Sequence, residues 1–259
     1  MNKNFTVILV FFLTVFLARA EGEKVTVYTD ISPYQYADNH ELREVVVKEG
    51  VKSIGEYAFL GCINLEKIEL PESLEEIGEG AFRDCKNLTY LEIPEKIKII
   101  PAYLCAWDEK LKRVKLPKHL KDIGRNAFAY CENLQTVNFP DGLEHIGPNA
   151  FSYCKSLKEV ELPDSIKELE SYAFSGCINL RKATLPANSN MLGELIFTGC
   201  DKLKEIRCMS KGPPTFDCDS PLFDPLEKKL WRQCRLVVPE SSIPLYRKSP
   251  GWSFFFNSN

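Results

Sequence analysis

The sequence predicts a solenoid fold: a coil of about seven stacked turns of 23 residues, each containing a short β-strand, with a cap at either end. The first observation is a strict repeat of an Ile or Leu every 23 residues, at Ile54, Ile77, Ile100, Ile123, Ile146, Leu169 and Leu192. The second is a shared phrase around these positions, I-G-x-x-A-F-x-x-C-x-x-L-x-x-I-x-L-P. One such turn cannot bury its own apolar side, whereas stacked turns bury a continuous core.

Each repeat divides into a strand, a corner and a buried far side. Ile68 and Leu70 alternate with polar residues, which is the period of a strand with one buried face. Pro71 has no N–H to donate, so it ends the strand. Leu74 and Ile77 then point inward, and the Ala-Phe pair of the phrase fills the far side of the coil.

Three columns of identical residues run through the repeats. They are a Phe column (Phe59, Phe82, Phe128, Phe151, Phe174, Phe197), a Cys column (Cys62, Cys85, Cys131, Cys154, Cys177, Cys200) and a Pro column (Pro71, Pro94, Pro117, Pro140, Pro163, Pro186). We expect the column cysteines to be buried free thiols, because a disulfide between parallel turns would strain its dihedral angle. Cys105 falls in the Phe column and is expected to be buried too. A disulfide among Cys208, Cys218 and Cys234 is left open.

The N-terminus is predicted to be a signal peptide. Lys3 gives a positive start, and residues 5–17 form a mostly apolar run that is too short to span a bilayer comfortably. Ala18-Arg19-Ala20 matches a cleavage site, so we expect cleavage after Ala20. The protein is therefore predicted to be exported.

The two ends of the remaining chain depart from the repeat. KVTVYTD near the start reads as a strand followed by a loop, and LVVP near the end reads as a last strand. Terminal units of a solenoid are atypical because their outer faces meet water. The predicted organisation is a signal peptide, an N-terminal cap with a partial first repeat, a repeat solenoid and a C-terminal cap, over residues 1–20, 21–53, 54–210 and 211–259.

Composition narrows the classes of function. The net charge of −3 gives no basis for binding nucleic acid or an anionic membrane. After the signal peptide, no segment is long and apolar enough to span a bilayer. The sequence has no H-E-x-x-H, no G-x-S-x-G and no phosphate-binding loop. We therefore expect no enzyme and no catalytic residues, metal or cofactor.

The repeated phrase resembles the BspA-like subclass of bacterial leucine-rich repeats, over about residues 42–208. The segment CRLVVPESSIPLYRKSPGWSFF, residues 234–255, is similar to the closing segment of such secreted proteins. The resemblance implies a protein on or outside a bacterial cell that binds other proteins or host surfaces.

Candidate binding residues lie at the outward positions of the strands, where the repeat imposes no residue type. These positions read either as a solvated face or as an extended protein-recognition strip. The concave faces of solenoids serve recognition, which favours the strip. The candidates are Lys67, Tyr90, Arg113, Thr136, Glu159 and Lys182 in one column and Glu69, Glu92, Lys115, Asn138 and Glu161 in the other.

Trp107 is the remaining candidate. The third repeat has Leu104-Cys105 in place of Ala-Phe and Asp108 in place of Cys. Tyr103 or Trp107 could refill the core that Cys105 leaves small. Alternatively, Trp107 could be an exposed anchor for a partner, since Trp and Tyr dominate binding hot spots.

The sequence therefore predicts an exported, non-catalytic leucine-rich repeat protein, secreted or at the cell surface, that recognises a protein partner through its exposed strands. Two alternatives stay open. A glycan-binding surface component is favoured by exposed aromatic side chains, and a self-associating structural protein is favoured by an uncapped end of the coil. The ligand, the anchoring route and the oligomeric state are not predicted.

Overall fold

The computed structural model describes residues 24–189, 191–216, 222, 224 and 232–256. Over this range the chain forms a β-solenoid of about eight turns of ~23 residues, which confirms the predicted architecture. The predicted signal peptide, Cys218 and Trp231 lie outside the described residues. The coil has three sides, named below the strand face, the corner side and the turn side.

The strand face carries parallel strands from successive turns: β1 (Lys24–Val27), β2 (Glu44–Val47), β4 (Lys67–Glu69), β6 (Tyr90–Glu92), β8 (Arg113–Lys115), β11 (Glu159–Glu161), β13 (Lys182–Leu185), β15 (Glu205–Cys208) and β17 (Arg235–Val237). In β4, β6, β8 and β11 the central residue is buried and its two neighbours are exposed, as the alternation predicted. Backbone pairing joins the strands into three groups, β1-β2-β4, β6-β8 and β11-β13-β15-β17.

The corner side carries strands of two residues: β3 (Ser53–Ile54), β5 (Glu76–Ile77), β7 (Ile99–Ile100), β9 (Asp122–Ile123), β10 (His145–Ile146), β12 (Glu168–Leu169), β14 (Met191–Leu192) and β16 (Thr215–Phe216). From β3 to β14 the second residue is the buried repeat anchor and the first faces outward. These strands pair as one group of β3 with β5 and another from β7 to β16.

The turn side has no strands in the described chain, yet backbone hydrogen bonds cross every junction from Tyr34 to Gly176. Alternate residues donate their N–H groups to carbonyls of the next turn, as Tyr57, Phe59 and Gly61 do. The middle donor belongs to the Phe column and its side chain points into the core. The two outer donors have left-handed backbone, with φ between +52° and +71°.

Stacked phenylalanine rings form the centre of the core. Phe151 lies with its ring centroid 5.3 Å from that of Phe128 and 5.4 Å from that of Phe174. Phe59 and Phe82 stack in the same way at 5.7 Å. All these rings are fully buried, as the Phe column predicted.

The stack is interrupted at Cys105, whose small side chain separates Phe82 from Phe128. Cys105 is buried as expected. Neither Tyr103 nor Trp107 refills the space, because both lie half-buried on the turn side. The interrupted stack is thus a real discontinuity in the core.

The column cysteines are free and buried, as predicted. Each thiol donates a hydrogen bond to the carbonyl of the Phe-column position one turn back, with Sγ–O distances of 3.0–3.3 Å. Burial raises the pKa of Cys62 to about 12, so the thiol keeps its proton and remains a donor. Cys208 and Cys234 are also buried free thiols, so no disulfide joins them.

The N-terminal end contains more of the coil than the sequence predicted. The segment expected to be a cap loop forms a complete turn side, in which Tyr34, Tyr36 and Asp38 donate their N–H groups to the next turn. The Tyr36 ring takes the Phe-column place and stacks on Phe59 at 5.1 Å. β1 adds a strand in parallel register with β2. The phrase was not recognised here because Tyr replaces Phe.

The C-terminal segment packs on the last turns. It contains two 3-10 helices (Glu240–Ser242 and Ser253–Phe255) and one short helix, α1 (Ile243–Lys248). Tyr246 and Trp252 are fully buried. The Trp252 indole N–H donates to the carbonyl of Pro214 at 2.8 Å, which fixes the segment to the coil.

Both strand ladders are interrupted at one junction, between β4 and β6 on the strand face and between β5 and β7 on the corner side. In the preceding turn, the Gly78 N–H donates to Ile54 at 2.7 Å. A Cβ on Gly78 would lie 2.3 Å from the Glu56 nitrogen, so the turns touch at this corner. At the interrupted junction Pro101 occupies the position that Gly78 has one turn earlier. Proline has a bulky ring and no N–H to donate. The two turns therefore part here while their turn-side bonds persist.

Pro101→Gly is expected to restore the missing corner bond, because the new N–H can donate to Ile77. Stability should change by less than about 1 kcal/mol, since one added hydrogen bond is offset by the greater freedom of unfolded glycine. Hydrogen–deuterium exchange should slow over residues 98–101. Pro117→Gly is the matched control, since it makes the same residue change in the Pro column and not at the interrupted corner. Unchanged exchange over 98–101 would show that Pro101 does not cause the break.

Candidate binding surfaces

The strand face carries all the predicted binding residues except Trp107. The candidates on β4, β6, β8 and β11 are exposed, and so are Thr136 and Asn138, which lie between β8 and β11. Lys182 on β13 is half-buried. These side chains form one polar surface, but its ends and its centre differ in how their charges are paired.

At the N-terminal end of this surface the charges satisfy one another. Lys67 pairs with Glu69, and Lys115 pairs with Glu92, both at 2.5 Å. Glu92 also accepts a hydrogen bond from the Tyr90 hydroxyl at 3.0 Å. The hydrogen bond from Lys67 lowers the pKa of Glu69, and that from Lys115 lowers the pKa of Glu92. These carboxylates stay charged, and their hydrogen bonds are already made within the chain.

The C-terminal end is paired in the same manner. Glu205 lies between two arginines, 2.6 Å from Arg207 and 2.7 Å from Arg235. The bond from Arg207 lowers the pKa of the Glu205 carboxyl. Lys182 approaches Glu161 at 3.8 Å. This end too offers a partner few unpaired charges.

The centre of the strand face is different. Arg113 and Glu159 are exposed, and neither forms an ion pair with another residue of the described chain. Thr136 makes only an isolated bridge with Arg113. Asn138 belongs to no strand in the described chain. Arg113, Thr136, Asn138 and Glu159, named the central quartet, keep the hydrogen-bonding capacity that the ends have used.

Phe139 follows the central quartet residues Thr136 and Asn138 at the turn where the strand is missing. Neighbouring turns carry Leu116 and Leu162 at this position. The Phe139 ring packs edge-on to Phe151 at 5.4 Å and to Phe174 at 6.4 Å. Residues 136–138 form no ladder with β11 in the described chain.

A polar cleft of about 700 Å³ opens on the strand face where β4 and β6 part. Glu66, Lys67 and Glu69 line one wall, and Thr89 and Tyr90 line the other. No backbone hydrogen bond crosses between these described segments, whereas the next junction has one from Lys112 to Thr89. The cleft is thus a feature of the strand face that the repeat pattern did not predict.

Trp107 lies on the turn side, inside a stack of aromatic rings. Its ring is 5.4 Å from that of Tyr130, which stacks on Tyr153 at 4.6 Å. The Arg83 guanidinium lies 4.7 Å from the Trp107 ring. At the far end, a Cβ added to Gly176 would come within 2.8 Å of the Tyr153 ring. Both faces of the Trp107 ring are therefore covered.

The aromatic residues of this stack, and Tyr103 beside Arg83, have strained backbone. Tyr103, Trp107, Tyr130 and Tyr153 have φ between +58° and +67°. Left-handed backbone costs a residue with a side chain about 1–2 kcal/mol, whereas glycine avoids this cost. Each stacked pair of rings stabilises the fold by about 0.5–1.5 kcal/mol. The aromatic residues thus carry a cost in backbone free energy that a glycine at the same position, such as Gly176, avoids.

The sequence did not identify Arg83, Tyr130 or Tyr153 as surface residues of interest. A signal was present, since Trp107, Tyr130 and Tyr153 are spaced by the repeat length. The same column contains Gly and Asp in other turns, so its residue type is not constant and the repeat pattern does not mark it. The position of this column on the turn side is seen only in the structure, where its residues have left-handed backbone.

On the corner side, His145 is held between two carboxylates from the turns before and after it. Its Nδ1 lies 2.9 Å from Asp122 Oδ2 and its Nε2 lies 2.6 Å from Glu170 Oε1. Burial opposes a charge on the ring, but the hydrogen bonds to Glu170 and Asp122 outweigh it and raise the pKa of His145. The protonated ring can donate to both carboxylates and so ties three turns together.

His145→Gln is expected to remove a part of the stability that depends on pH. Because the folded pKa lies above the unfolded value of about 6.5, the stabilisation is complete below that pH and is lost as pH rises through the folded pKa. Urea unfolding at several pH values should show a difference of less than about 1 kcal/mol, since the ring is partly exposed. His119→Gln, at an exposed histidine, is the control. A difference that does not shrink with rising pH would contradict the assignment.

No group of three His, Cys, Asp or Glu side chains among the described residues is arranged to hold a metal ion. No helix in the described part of the chain has the length and apolar character that crossing a membrane requires.

Comparison with known proteins places the chain in a family. The family model of the BspA type leucine rich repeat region matches residues 29–155 and 121–212, in 6 copies. A leucine rich repeat protein of T. pallidum is 27% identical, with a TM-score of 0.50 over 71% of this chain and 78% of that one. A leucine-rich repeat protein from Bacteroides ovatus shares the fold at 21% identity, with a TM-score of 0.52 over 85% and 72% of the two chains. None of the curated proteins matches. The chain belongs to the BspA-type leucine-rich repeat family.

Proposed function

We propose that this chain is an exported, non-catalytic recognition protein that binds a protein partner through its strand face. The observation that carries the proposal is the central quartet. Its side chains are exposed and Arg113 and Glu159 form no ion pair within the described chain, whereas the charges at both ends of the face are paired. A partner on this face therefore meets unused donors and acceptors at its centre.

The rigid scaffold supports binding by this face. β8 and β11 are anchored by Val114 and Val160, which are 4% and 2% exposed. A partner does not have to order these strands, so the entropic cost of binding falls mainly on side chains. Extended solenoid surfaces are used for protein recognition for this reason.

Family membership supports the same class of function. The family and the solved relatives are repeat proteins rather than known enzymes, and the fold suggests a binding or surface role. The predicted signal peptide supports export. A host matrix protein or a cell-surface protein is the partner class that we propose.

The glycan-binding alternative requires an aromatic ring with a face open to a sugar. At the Trp107 stack the ring faces are covered by neighbouring rings, by Arg83 and by the backbone of Gly176. In the C-terminal segment Trp252 is fully buried. These two sites therefore offer a sugar no open ring face.

The self-association alternative requires the two ends of the strand face to pair. If β17 of one copy continued in register onto β1 of the next, Arg235 would lie opposite Lys24. Like charges directly opposite each other destabilise a sheet. End-to-end growth is thus disfavoured by the residues at both edges.

The test measures binding of the chain from residue 21 onward to matrix and serum proteins and to a glycan array. One variant changes the central quartet to Ala. The matched control changes Lys67, Lys115 and Arg207 to Ala, whose charges are paired in the structure. We expect saturable protein binding that falls about tenfold or more in the quartet variant and little in the control.

Equal binding by the quartet variant and the unchanged chain would remove the strand face as the site. Binding to glycans without binding to proteins would support the alternative. Thermal unfolding of both variants checks that any loss comes from the surface and not from the fold.

A further inference from the structure

A second surface with the composition of a binding site lies on the turn side. It consists of Arg83, Tyr103, Trp107, Tyr130 and Tyr153, named below the turn-side patch. Arg, Trp and Tyr dominate the residues that contribute most to protein binding, whereas Lys and Glu are depleted from interface cores. The paired ends of the strand face consist mainly of the depleted types.

Arg83 is fixed in place but has no ionic partner. Its guanidinium carbon lies 4.7 Å from the Trp107 ring centroid and 5.6 Å from that of Tyr103. It forms no ion pair with a carboxylate of the described chain, and its buried Nε makes no hydrogen bond there. An oriented guanidinium presents parallel N–H donors that match a carboxylate, and little side-chain freedom remains to be lost on binding.

The aromatic residues of the patch are not required by the fold. They occupy left-handed positions that other turns fill with Gly80, Asp84, Asn126 and Gly176. Strained side chains are retained where the surrounding structure gains from them, and they cluster at functional sites. Intramolecular stacking explains why the rings are ordered, but it does not explain an unpaired cation placed on them.

The exposed part of the patch is the ring edge. Tyr153 is 41% exposed, while its ring faces are covered by Tyr130 and by the backbone of Gly176. A sugar ring stacks on a face, so this geometry does not suit it. A protein surface can pack apolar side chains against such edges beside a charge pair.

We propose that the turn-side patch is a docking surface for an acidic segment of a protein partner. An Asp or Glu carboxylate of that segment pairs with Arg83, and the adjoining apolar side chains contact the edges of Tyr130 and Tyr153. The patch and the strand face lie on different sides of the coil, so each proposal can fail without the other.

The test uses an array of 12-residue peptides that carry Asp or Glu beside aliphatic residues, each printed next to its Asn or Gln counterpart. It is probed with the chain from residue 21 onward, with Arg83→Gln and with Arg83→Lys. Arg125→Gln is the matched control, because Arg125 is an exposed arginine on the same side with no ring contact in the described chain. The central-quartet variant reports on the strand face separately.

We expect acidic peptides to bind at least tenfold more tightly than their amide counterparts. Arg83→Gln should remove this preference, Arg83→Lys should retain part of it, and Arg125→Gln and the quartet variant should leave it intact. Binding that does not distinguish acids from amides, or that survives Arg83→Gln, overturns the proposal. So does an array without binding. If Arg83→Gln fails to fold, Arg83→Lys is compared with Arg125→Gln. A weaker preference for acidic peptides in Arg83→Lys than in Arg125→Gln supports the proposal, and equal preferences overturn it.

Discussion

Phe151→Ala is expected to lower the free energy of unfolding by about 3–5 kcal/mol, which is the cost of removing a large ring from a packed core. Phe151 is fully buried and stacks on Phe128 and Phe174. It also supports the edge of Phe139 at 5.4 Å. The cavity opens in the middle of the coil, where neighbouring turns are held by backbone bonds and cannot collapse to fill it.

Urea unfolding followed by circular dichroism measures this loss. Phe254→Ala is the matched control, because Phe254 is 43% exposed and should lose less than about 1 kcal/mol. A loss below about 1 kcal/mol for Phe151→Ala would show that the turns rearrange around the missing ring.

Asp108→Cys is expected to stabilise the protein at neutral pH, by about 1–3 kcal/mol, which is the cost of a buried polar group without a partner. Asp108 is fully buried in the place of a column cysteine. Its Oδ1 accepts a hydrogen bond from the Cys85 N–H at 2.8 Å, but its Oδ2 has no partner in the described chain. A cysteine would donate its thiol proton to the carbonyl of Phe82, as its counterparts do one turn back.

The stability gained by Asp108→Cys should increase as pH rises. Burial raises the pKa of Asp108 well above its usual range, and hydrogen bonds from the Cys85 N–H and the Cys105 thiol oppose this only in part. The nearby Asp84 raises it further, and the surrounding thiols are neutral. The folded state therefore binds the proton more tightly than the unfolded state. Stability is greatest below the unfolded pKa of about 3.9 and falls as pH rises towards the folded pKa.

Chemical unfolding of the unchanged chain and of Asp108→Cys across acidic and neutral pH measures the effect. The difference between them should grow as pH rises. Asp141→Asn, at an exposed carboxylate, is the control for removing a carboxylate without filling the Cys column. If Asp108→Cys proves less stable at neutral pH, Asp108 has a partner that outweighs its burial.

The repeat sequence determined most of the fold. Because apolar residues at a fixed spacing must share one side of the chain, the period of 23 residues defined the turns, the strands and the buried columns. The Cys column was correctly predicted to consist of free thiols: Cys131 and Cys154, in neighbouring turns, are both free and buried. The first turn was missed because Tyr36 stands for Phe there and the Cys of the phrase is absent.

The sequence also placed the strand-face candidates on one surface, because alternation in a strand decides which side chains point outward. It did not separate the paired ends from the central quartet. Lys67 and Arg113 look alike in the sequence, yet only Lys67 has a carboxylate in reach. The difference depends on side-chain directions across neighbouring strands.

Only the tertiary structure decided the remaining features. The Arg83–Trp107 contact and the His145 site each join residues from different turns, about one repeat apart in the sequence. The break at Pro101 likewise depends on how two successive turns meet. The periodic apolar pattern fixes which side of the coil a residue occupies, because burial is a property of each position. Whether a polar side chain finds a partner is decided by atoms in the adjacent turns, and by backbone angles such as the left-handed φ of Trp107 that aim it there.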